Sequence, residues 1–273
     1  MAQQPILNDT VSSFGNMALY TAVSAASYDG VYTVVDDAHI HSCYEIYLNV
    51  SGDVSFLHDS TVYDICHADV IVSHPGDVHH CIYRSPCMHE HVCIWFQSAE
   101  VGEFLNRRGI RGKIRPSEEE AERLLRLACA LSDTERDSFS RAADFMHLLM
   151  ILDINGTTDS KGGKEPSSKI EQMLSYIDAH LLNISGSDEL ARVFYVSEST
   201  VHRLFREHVG ISVGKLIETK RLSYAEKMLR ADLSVTEACY GSGFSDCSRF
   251  ILCFKKKFGK TPLKYKQDLF AKK

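Results

Sequence analysis

Near the N-terminus, three side chains of the kinds that bind metal ions recur at a regular spacing. His39, His41 and Glu45 all occupy odd-numbered positions, so on an extended strand, whose side chains alternate between two faces, they point to the same side. Imidazole and carboxylate groups in combination suit zinc, iron, nickel or manganese. Histidine is concentrated in this part of the chain, since nine of the thirteen lie between His39 and His91. The spacing predicts a polar site facing the interior of a β domain.

A second set of polar side chains follows the pattern of a helix-turn-helix unit. A unit that reads DNA needs two short helices, a tight turn, and polar side chains on the outer face of the second helix. Residues 187–194 are expected to form the supporting helix and residues 195–196 the turn, with Ser197 capping the next helix. The outer face of that helix carries the candidate DNA contacts Glu198, Ser199, His202, Arg203 and Arg206.

The same pattern occurs once more toward the C-terminus. Residues 235–240 form the expected support, residues 241–243 the turn, and Asp246 caps a helix that reaches residue 258. The 18-residue helix predicted between the units, 213–230, is about 27 Å long, which suits two reading helices in successive major grooves about 34 Å apart. The lysines after residue 254 form either a solvated face or a phosphate-binding surface. The candidate DNA contacts of this second unit are Cys247, Ser248, Arg249, Lys255 and Lys256.

The elements expected around these residues differ between the two halves of the chain. From residue 20 to 97, short β-type runs alternate with turn residues, a pattern typical of a sandwich or barrel. Beyond residue 98 the pattern becomes helical, and two amphipathic helices are predicted between Ser117, which is expected to cap the first, and residue 154. These helices either cover the core of the β domain or form a dimer interface. Everything beyond residue 169 is predicted to be short helices.

Charge and composition divide the chain in the same way. Residues 1–166 hold 12 Lys+Arg against 24 Asp+Glu, whereas residues 167–273 hold 18 against 12. An acidic half joined to a basic half indicates a nucleic-acid binder coupled to a domain of another kind. The segment 155–168 has no run of apolar residues to bury and is predicted to be a flexible linker. The expected domains are 1–98, a barrel; 99–154, a helical dimerisation or cover segment; 155–168, the linker; and 169–273, a DNA-binding domain.

The composition also excludes several classes of protein. With 44% hydrophobic and 24% charged residues, the chain is an ordinary globular protein. It has neither a membrane-spanning apolar run nor a secretion signal, so we expect it to remain in the cytoplasm without a membrane partner. The nine cysteines are odd in number and form no Cys-x-x-Cys pair, which argues against a disulfide framework and a thiolate zinc site.

The C-terminal motifs identify a family resemblance. Ser-x-x-x-Val-His-Arg-Leu-Phe-Arg-x-x-x-Gly at 197–210, Arg-Leu-x-x-Ala-x-x-Met-Leu at 221–229, and Gly-Phe-Ser-Asp at 243–246 resemble the signatures of the AraC/XylS regulators. The resemblance implies base contacts at Ser199, His202 and Arg203. The counterpart positions in the second unit are Cys247, Ser248, Ile251 and Leu252. Because Ile251 and Leu252 are apolar, that unit is expected to read bases weakly, through thymine methyl groups or Arg249, and mainly to contact phosphate.

The N-terminal histidines carry a second resemblance. His39-x-His41-x-x-x-Glu45, with Gly52 seven residues further on, and Pro75-Gly76-x-x-His79 resemble the two motifs of the cupin barrel superfamily. The resemblance implies that His79 completes a set of three histidines and one carboxylate. Three interpretations remain open: a bound divalent metal, a metal-free pocket for a sugar-like or other small effector, and core histidines without a ligand.

Together these features predict a two-domain α+β protein. Its N-terminal domain is a cupin-like β-barrel with flanking helices, and its C-terminal domain is all-α with two helix-turn-helix motifs. The expected function is that of a sequence-specific transcription activator, a homodimer that binds promoter DNA and RNA polymerase under the control of a small effector. The alternative is a cupin-type metalloenzyme fused to a DNA-binding domain. The sequence establishes no cofactor, and the divalent metal considered for the barrel is the one candidate.

Overall fold

The structure, a computed structural model, describes residues 12–14, 17–27, 38–133, 135–156 and 168–270. The chain forms two compact units, the first within residues 1–164 and the second made mainly of residues 165–273. The predicted linker 155–168 lies almost entirely outside the described residues. None of the helices in the described ranges is long and apolar enough to cross a membrane.

Two β-sheets form the N-terminal unit. The strands β1, β2, β8, β3, β6 and β9 form one sheet in that order, with antiparallel neighbours, and β5, β4 and β7 form the other. The short strands expected between residues 20 and 97 are therefore confirmed. The strand bounds are β1 Ser12–Phe14, β2 Met17–Ser27, β3 Tyr44–Ser51, β4 Val54–His58, β5 Thr61–Ile65, β6 Val70–Ser73, β7 His79–Tyr83, β8 Met88–Gln97 and β9 Gly112–Ile114.

One face of the large sheet packs against the small sheet, and its other face packs against helices. Alternation along β3 places Tyr47 in a core shared with Phe56 of β4 and Ile65 of β5. The intervening side chains of β3, Ile46 and Leu48, enter a second core on the opposite face. Successive side chains of a strand point to opposite faces, so one strand serves both cores. This arrangement of facing sheets and flanking helices confirms the predicted cupin-like fold.

Three helices follow β8 in the chain: α1 Ala99–Arg108, α2 Glu118–Leu131 and α3 Ser138–Asn155. The apolar side of α3 enters the core of the large sheet, where the rings of Phe145 and Phe96 lie 5.0 Å apart in an edge-to-face contact. The two predicted amphipathic helices, α2 and α3, are thus confirmed, and they cover this core. Strand β9 between α1 and α2 was not predicted, because three residues are too few to show a period.

The C-terminal unit is helical, as predicted. Its elements are α4 Lys169–Ala179, α5 Ser187–Val193, α6 Glu198–Leu204 with a π-helical turn at Phe205–Val209, α7 Val213–Arg230, α8 Val235–Gly241, α9 Cys247–Phe258 and α10 Pro262–Phe270. Helix α10, which follows the helix ending at Phe258, was not predicted as a separate element. Tyr265 of α10 packs its ring against Phe254 and Phe258, with centroids 5.5 Å from each.

The predicted helix caps are confirmed in the C-terminal unit and corrected in the N-terminal one. The side chain of Ser197 accepts a hydrogen bond from the backbone of Thr200, and Asp246 begins α9 in the same way. Ser117 occupies the cap position of α2 but makes no side-chain bond to the helix backbone. Its hydroxyl instead donates to the carboxylate of Glu120, at 3.3 Å.

Candidate functional site

The four predicted barrel residues meet at one place. His39, His41, Glu45 and His79 each offer one ligand atom, and these atoms all lie within 4.8 Å of one another. Glu45 lies on β3 and His79 begins β7. The expectation that His39 and His41 share an extended strand with Glu45 is wrong, because β3 begins only at Tyr44; His39 lies in an isolated β-bridge and His41 in irregular chain. Backbone pairing places His41 instead, since its carbonyl accepts a hydrogen bond from the amide of Gly76, 2.9 Å away in the turn before β7.

Glu45 is the centre of this cluster. Its Oε2 lies 2.8 Å from Nε2 of His41 and 3.1 Å from Nε2 of His79, and it accepts a hydrogen bond from Nε1 of Trp95 at 2.9 Å. The thiol of Cys93 donates to Oε1 at 3.5 Å. Burial opposes ionisation of this carboxyl group, but the two imidazoles more than offset burial and hold its pKa well below the usual range. The carboxylate is therefore negative and buried at neutral pH.

The orientation of His79 matters for what this cluster can bind. Nδ1 lies 3.0 Å from the carbonyl oxygen of Asp77, which can only accept a hydrogen bond. Nδ1 therefore carries a proton, and in the neutral ring the lone pair is on Nε2, which faces the carboxylate of Glu45. A lone pair facing a carboxylate at hydrogen-bond distance requires a cation between or beside them, either an added proton or a metal ion. A backbone carbonyl that fixes the tautomer of a histidine is also the usual outer partner of a metal ligand.

The donor set fits a divalent transition-metal ion. Three imidazoles and one carboxylate match the ligand preference of zinc, iron, nickel or manganese, and three of the four side chains are almost fully buried. Burial lowers the pKa of His79, but the neighbouring carboxylate of Glu45 outweighs burial and raises that pKa. Without a metal ion, a proton on His79 therefore balances the buried negative charge of Glu45. A metal ion at this point would supply the same positive charge.

Sequence reasoning missed the neighbours of the cluster. Register pairs Glu45 with Trp95 across β3 and β8, and the same face of these strands carries Tyr47, His89 and His91. The hydroxyl of Tyr47 lies 3.0 Å from Nε2 of His89. Burial lowers the pKa of His91 to about 4, so its ring is neutral at physiological pH. The signal that could have predicted this wall is strand alternation, which puts His89, His91, Cys93 and Trp95 at every second position.

The first helix-turn-helix unit has the surface that the sequence predicts. Val201 and Phe205 are buried in the unit. Arg203 pairs with Glu207 of the same helical segment at 3.0 Å, and His202 with Glu198 at 3.5 Å. The five candidate contacts are all exposed, and their contact with DNA stays a prediction: Glu198, Ser199, His202, Arg203 and Arg206.

In the second unit one candidate differs from the rest. Cys247, the first residue of α9, is half-buried and packs against the core formed with α7 and α8. Arg249 is exposed and lies 3.6 Å from the carboxylate of Glu218 on α7. The remaining candidates, Ser248, Lys255 and Lys256, are exposed.

Comparison with known proteins finds two family models that together span most of the chain. The AraC-like ligand binding domain matches residues 22–150, and a helix-turn-helix domain matches residues 190–268. The transcriptional activator RhaS of Enterobacter sp. (strain 638) is 29% identical over 129 residues, which are 47% of this chain and 46% of that protein. RhaS of Salmonella arizonae is 29% identical over 124 residues. The aligned part thus spans about half the length of these relatives.

ToxT of Vibrio cholerae O395 is one of the solved structures to which this chain is similar. It is 13% identical, with a TM-score of 0.38, and the match covers 92% of this chain and 99% of ToxT. The C-terminal domain of AraT, a response regulator from Geobacillus stearothermophilus, is 23% identical with a TM-score of 0.36. The match covers 38% of this chain and 88% of that domain.

Proposed function

We propose that this chain, which belongs to the AraC family of transcription regulators, is a sequence-specific DNA-binding activator controlled by a small effector. The observation that carries the proposal is the pairing of two helix-turn-helix units, each with an exposed polar face, in one helical unit. An N-terminal unit with a convergent polar cluster accompanies it in the same chain. We further propose that the protein acts in the cytoplasm.

The DNA-binding surface consists of α6 and α9. Each is the second helix of its unit, the position that enters the major groove in proteins of this architecture. Arg203 on α6, Arg206 on the π-helical turn that follows it and Arg249 on α9 are exposed and offer the planar guanidinium that pairs with guanine. Lys255 and Lys256 add charge that contacts phosphate in any sequence.

The effector site is the cluster around Glu45. We propose that His39, His41, Glu45 and His79 bind a divalent transition-metal ion, either as the effector itself or as the group that anchors a small organic effector. When bound, the metal would act as a Lewis acid inside the β domain. Support comes from the ligand atoms that converge within 4.8 Å and from the fixed tautomer of His79. A metal-free pocket for a sugar-like molecule is the competing outcome.

The dimer interface is the outer face of α3. Phe139, Met146, Met150 and Ile154 are between 43% and 72% exposed, and their spacing of seven, four and four residues places them on one side of an 18-residue helix. A continuous exposed apolar stripe of this kind favours a protein partner over solvent. The partner that we propose is the same face of α3 in a second copy of the chain, because a two-fold dimer brings identical surfaces of its two subunits together. Contact with RNA polymerase completes the proposed activation mechanism.

The test of this function uses the full chain and duplex DNA with a random central segment. Repeated rounds of binding and amplification are expected to enrich sites with two recognition elements on one face of the duplex. Binding of an enriched site should exceed binding of random DNA by at least about 10³-fold, the low end of the range for specific regulators. Equal affinity for all sequences would contradict the proposal and leave a non-specific DNA-binding protein.

A further inference from the structure

The centre of the exposed face of α9 is an apolar side chain. Leu252 is 70% exposed, although Phe250 and Phe254, two residues away on either side, are completely buried. At about 100° per residue, Leu252 therefore points directly away from the core. Its exposure contributes nothing to the packing of this unit, so the fold gives no reason for leucine at this position.

The surroundings of Leu252 indicate what it contacts. On a helix the nearest surface neighbours of a residue lie three and four positions away. For Leu252 these are Ser248, Arg249, Lys255 and Lys256, all exposed and none apolar. A leucine inside a ring of three cations and a hydroxyl does not suit a hydrophobic protein groove, whereas the cations suit a polyanion. The charge complementarity of this patch selects duplex DNA as its occupant.

Arg249, another residue on this face that could read a base, has an ion-pair partner within the protein. Its guanidinium lies 3.6 Å from the carboxylate of Glu218 on the neighbouring helix α7. Glu218 also accepts from the thiol of Cys253 at 3.4 Å, which fixes its carboxylate between the two helices. Arg249 is thus paired with α7, and Leu252 lies at the centre of the exposed face of α9.

The major groove presents a single apolar group, the 5-methyl of thymine. We infer that Leu252 is a specificity-determining residue that contacts a thymine methyl group in the half-site bound by α9. This inference rests on the proposed function and adds to it a base preference for the second helix-turn-helix unit. The first unit, with Arg203 and Arg206, then reads guanine-type hydrogen-bonding edges, and the second reads a methyl group.

The test replaces thymine by deoxyuridine, which differs only in lacking that methyl group. An enriched site from the random duplex pool is resynthesised with each thymine changed singly, and the affinity of the full chain is measured. At one position the change is expected to weaken binding about fourfold, the effect of one lost methyl contact. The Leu252→Ala variant should bind the thymine and uracil duplexes equally.

Leu263→Ala is the matched control, because Leu263 is an exposed leucine of the same unit, 58% exposed on α10. It should keep the discrimination of the unaltered protein, and circular dichroism should show all three proteins folded. Two results overturn the inference alone: no thymine position that is sensitive to the methyl group, or a Leu252→Ala variant that keeps the sensitivity. Failure to enrich any sequence overturns the proposed function as well.

Discussion

Arg115 donates two hydrogen bonds to the carboxylate of Asp69, from Nε to Oδ1 at 2.8 Å and from Nη2 to Oδ2 at 2.7 Å. A second pair of the same kind joins Arg111 to Asp77, at 2.9 and 2.6 Å. The two aspartates flank β6 and the two arginines flank β9, so each end of this strand pair is fixed by a buried carboxylate. These contacts act together with the packing of Ile114 in the core to place a strand of only three residues.

Replacing Asp69 by asparagine should destabilise the N-terminal unit. The charge that pairs with Arg115 and Lys113 is lost, and a hydrogen bond to a charged group contributes about 1.5–3 kcal/mol. Urea unfolding should show a decrease of that size in the free energy of unfolding. Glu103→Gln is the control, because its ion pair with Arg107 is exposed and 3.8 Å long, and such pairs contribute less than about 1 kcal/mol. Equal effects of the two changes would contradict the structural role of Asp69.

Acid should destabilise this unit through the same two carboxylates. Burial raises the pKa of Asp69 and of Asp77, but hydrogen bonds and charges from Arg115 and Lys113 at Asp69, and from His58 and Arg111 at Asp77, outweigh burial and lower both. A depressed pKa in the folded state stabilises the protein above the unfolded value of about 3.9, and this contribution is lost as the pH falls through the folded pKa. The free energy of unfolding should therefore fall from pH 5 toward pH 2.

The Asp69→Asn variant should show a shallower slope than the unaltered protein in that range. Identical slopes would mean that Asp69 titrates in the folded protein as it does in the unfolded chain.

Metal binding should be visible in the fluorescence of Trp95. This is the only tryptophan among 273 residues, and its Nε1 donates to Glu45 at 2.9 Å. Cobalt and nickel ions bind imidazole and carboxylate ligands. Either ion, added to metal-free protein, should therefore bind beside the indole and quench its emission, with saturation at about one equivalent. Elemental analysis of the untagged protein should find one metal ion per chain.

His41→Ala should lose both signals, and His67→Ala should keep them, because His67 lies outside the cluster with its ring 2.7 Å from the carbonyl of Val50. Absence of metal and of quenching in the unaltered protein would leave the histidines as pocket or core residues, and sugars and small organic acids would be the next compounds to test.

A glutamate on the outer face of α3 should separate the proposed dimer. Met150 is 61% exposed at the centre of the apolar stripe, and burying an unpaired carboxylate in an interface costs several kcal/mol. Sedimentation velocity should find a dimer for the unaltered chain and a monomer for Met150→Glu. Met88→Glu is the control, since Met88 is 56% exposed on β8; a dimer in both variants would place the interface elsewhere.

Arg203→Ala should reduce specific DNA binding. If Arg203 contacts a base edge, its loss costs about 1–3 kcal/mol at the enriched site and relaxes the preference at one position. The ion pair with Glu207, at 3.0 Å, is exposed and i,i+4 in spacing, so breaking it changes stability little. Unchanged discrimination between the enriched site and random DNA would remove Arg203 from the base-reading residues.

Local patterns were enough to predict the helices and the short strands. The bounds 213–230 of the long helix in the C-terminal unit agree with the structure to the residue, because Ser212 caps it and its apolar side chains keep one period. Helix α10 was missed although Pro262 stands at its first position, where proline is favoured. The local signal was present there and was not used.

The site was harder to predict than the elements. Glu45 and Trp95 are 50 positions apart, and their contact depends on the register between β3 and β8, which no local pattern specifies. The approach of His41 depends on a backbone hydrogen bond to Gly76, not on strand alternation. Motif resemblance therefore predicted the four residues that converge in the cluster, but not the indole and thiol beside them.

Trp95 and Phe96 are consecutive in β8, yet they face opposite sides of the sheet. Trp95 bonds to the carboxylate at the centre of the cluster, and Phe96 packs on Phe145 of α3. One peptide unit thus separates the buried charge from the helix whose outer surface carries Met150. A ligand that shifted this short piece of backbone would therefore act on α3 directly, without a hinge, a moving loop or a long chain of intermediates.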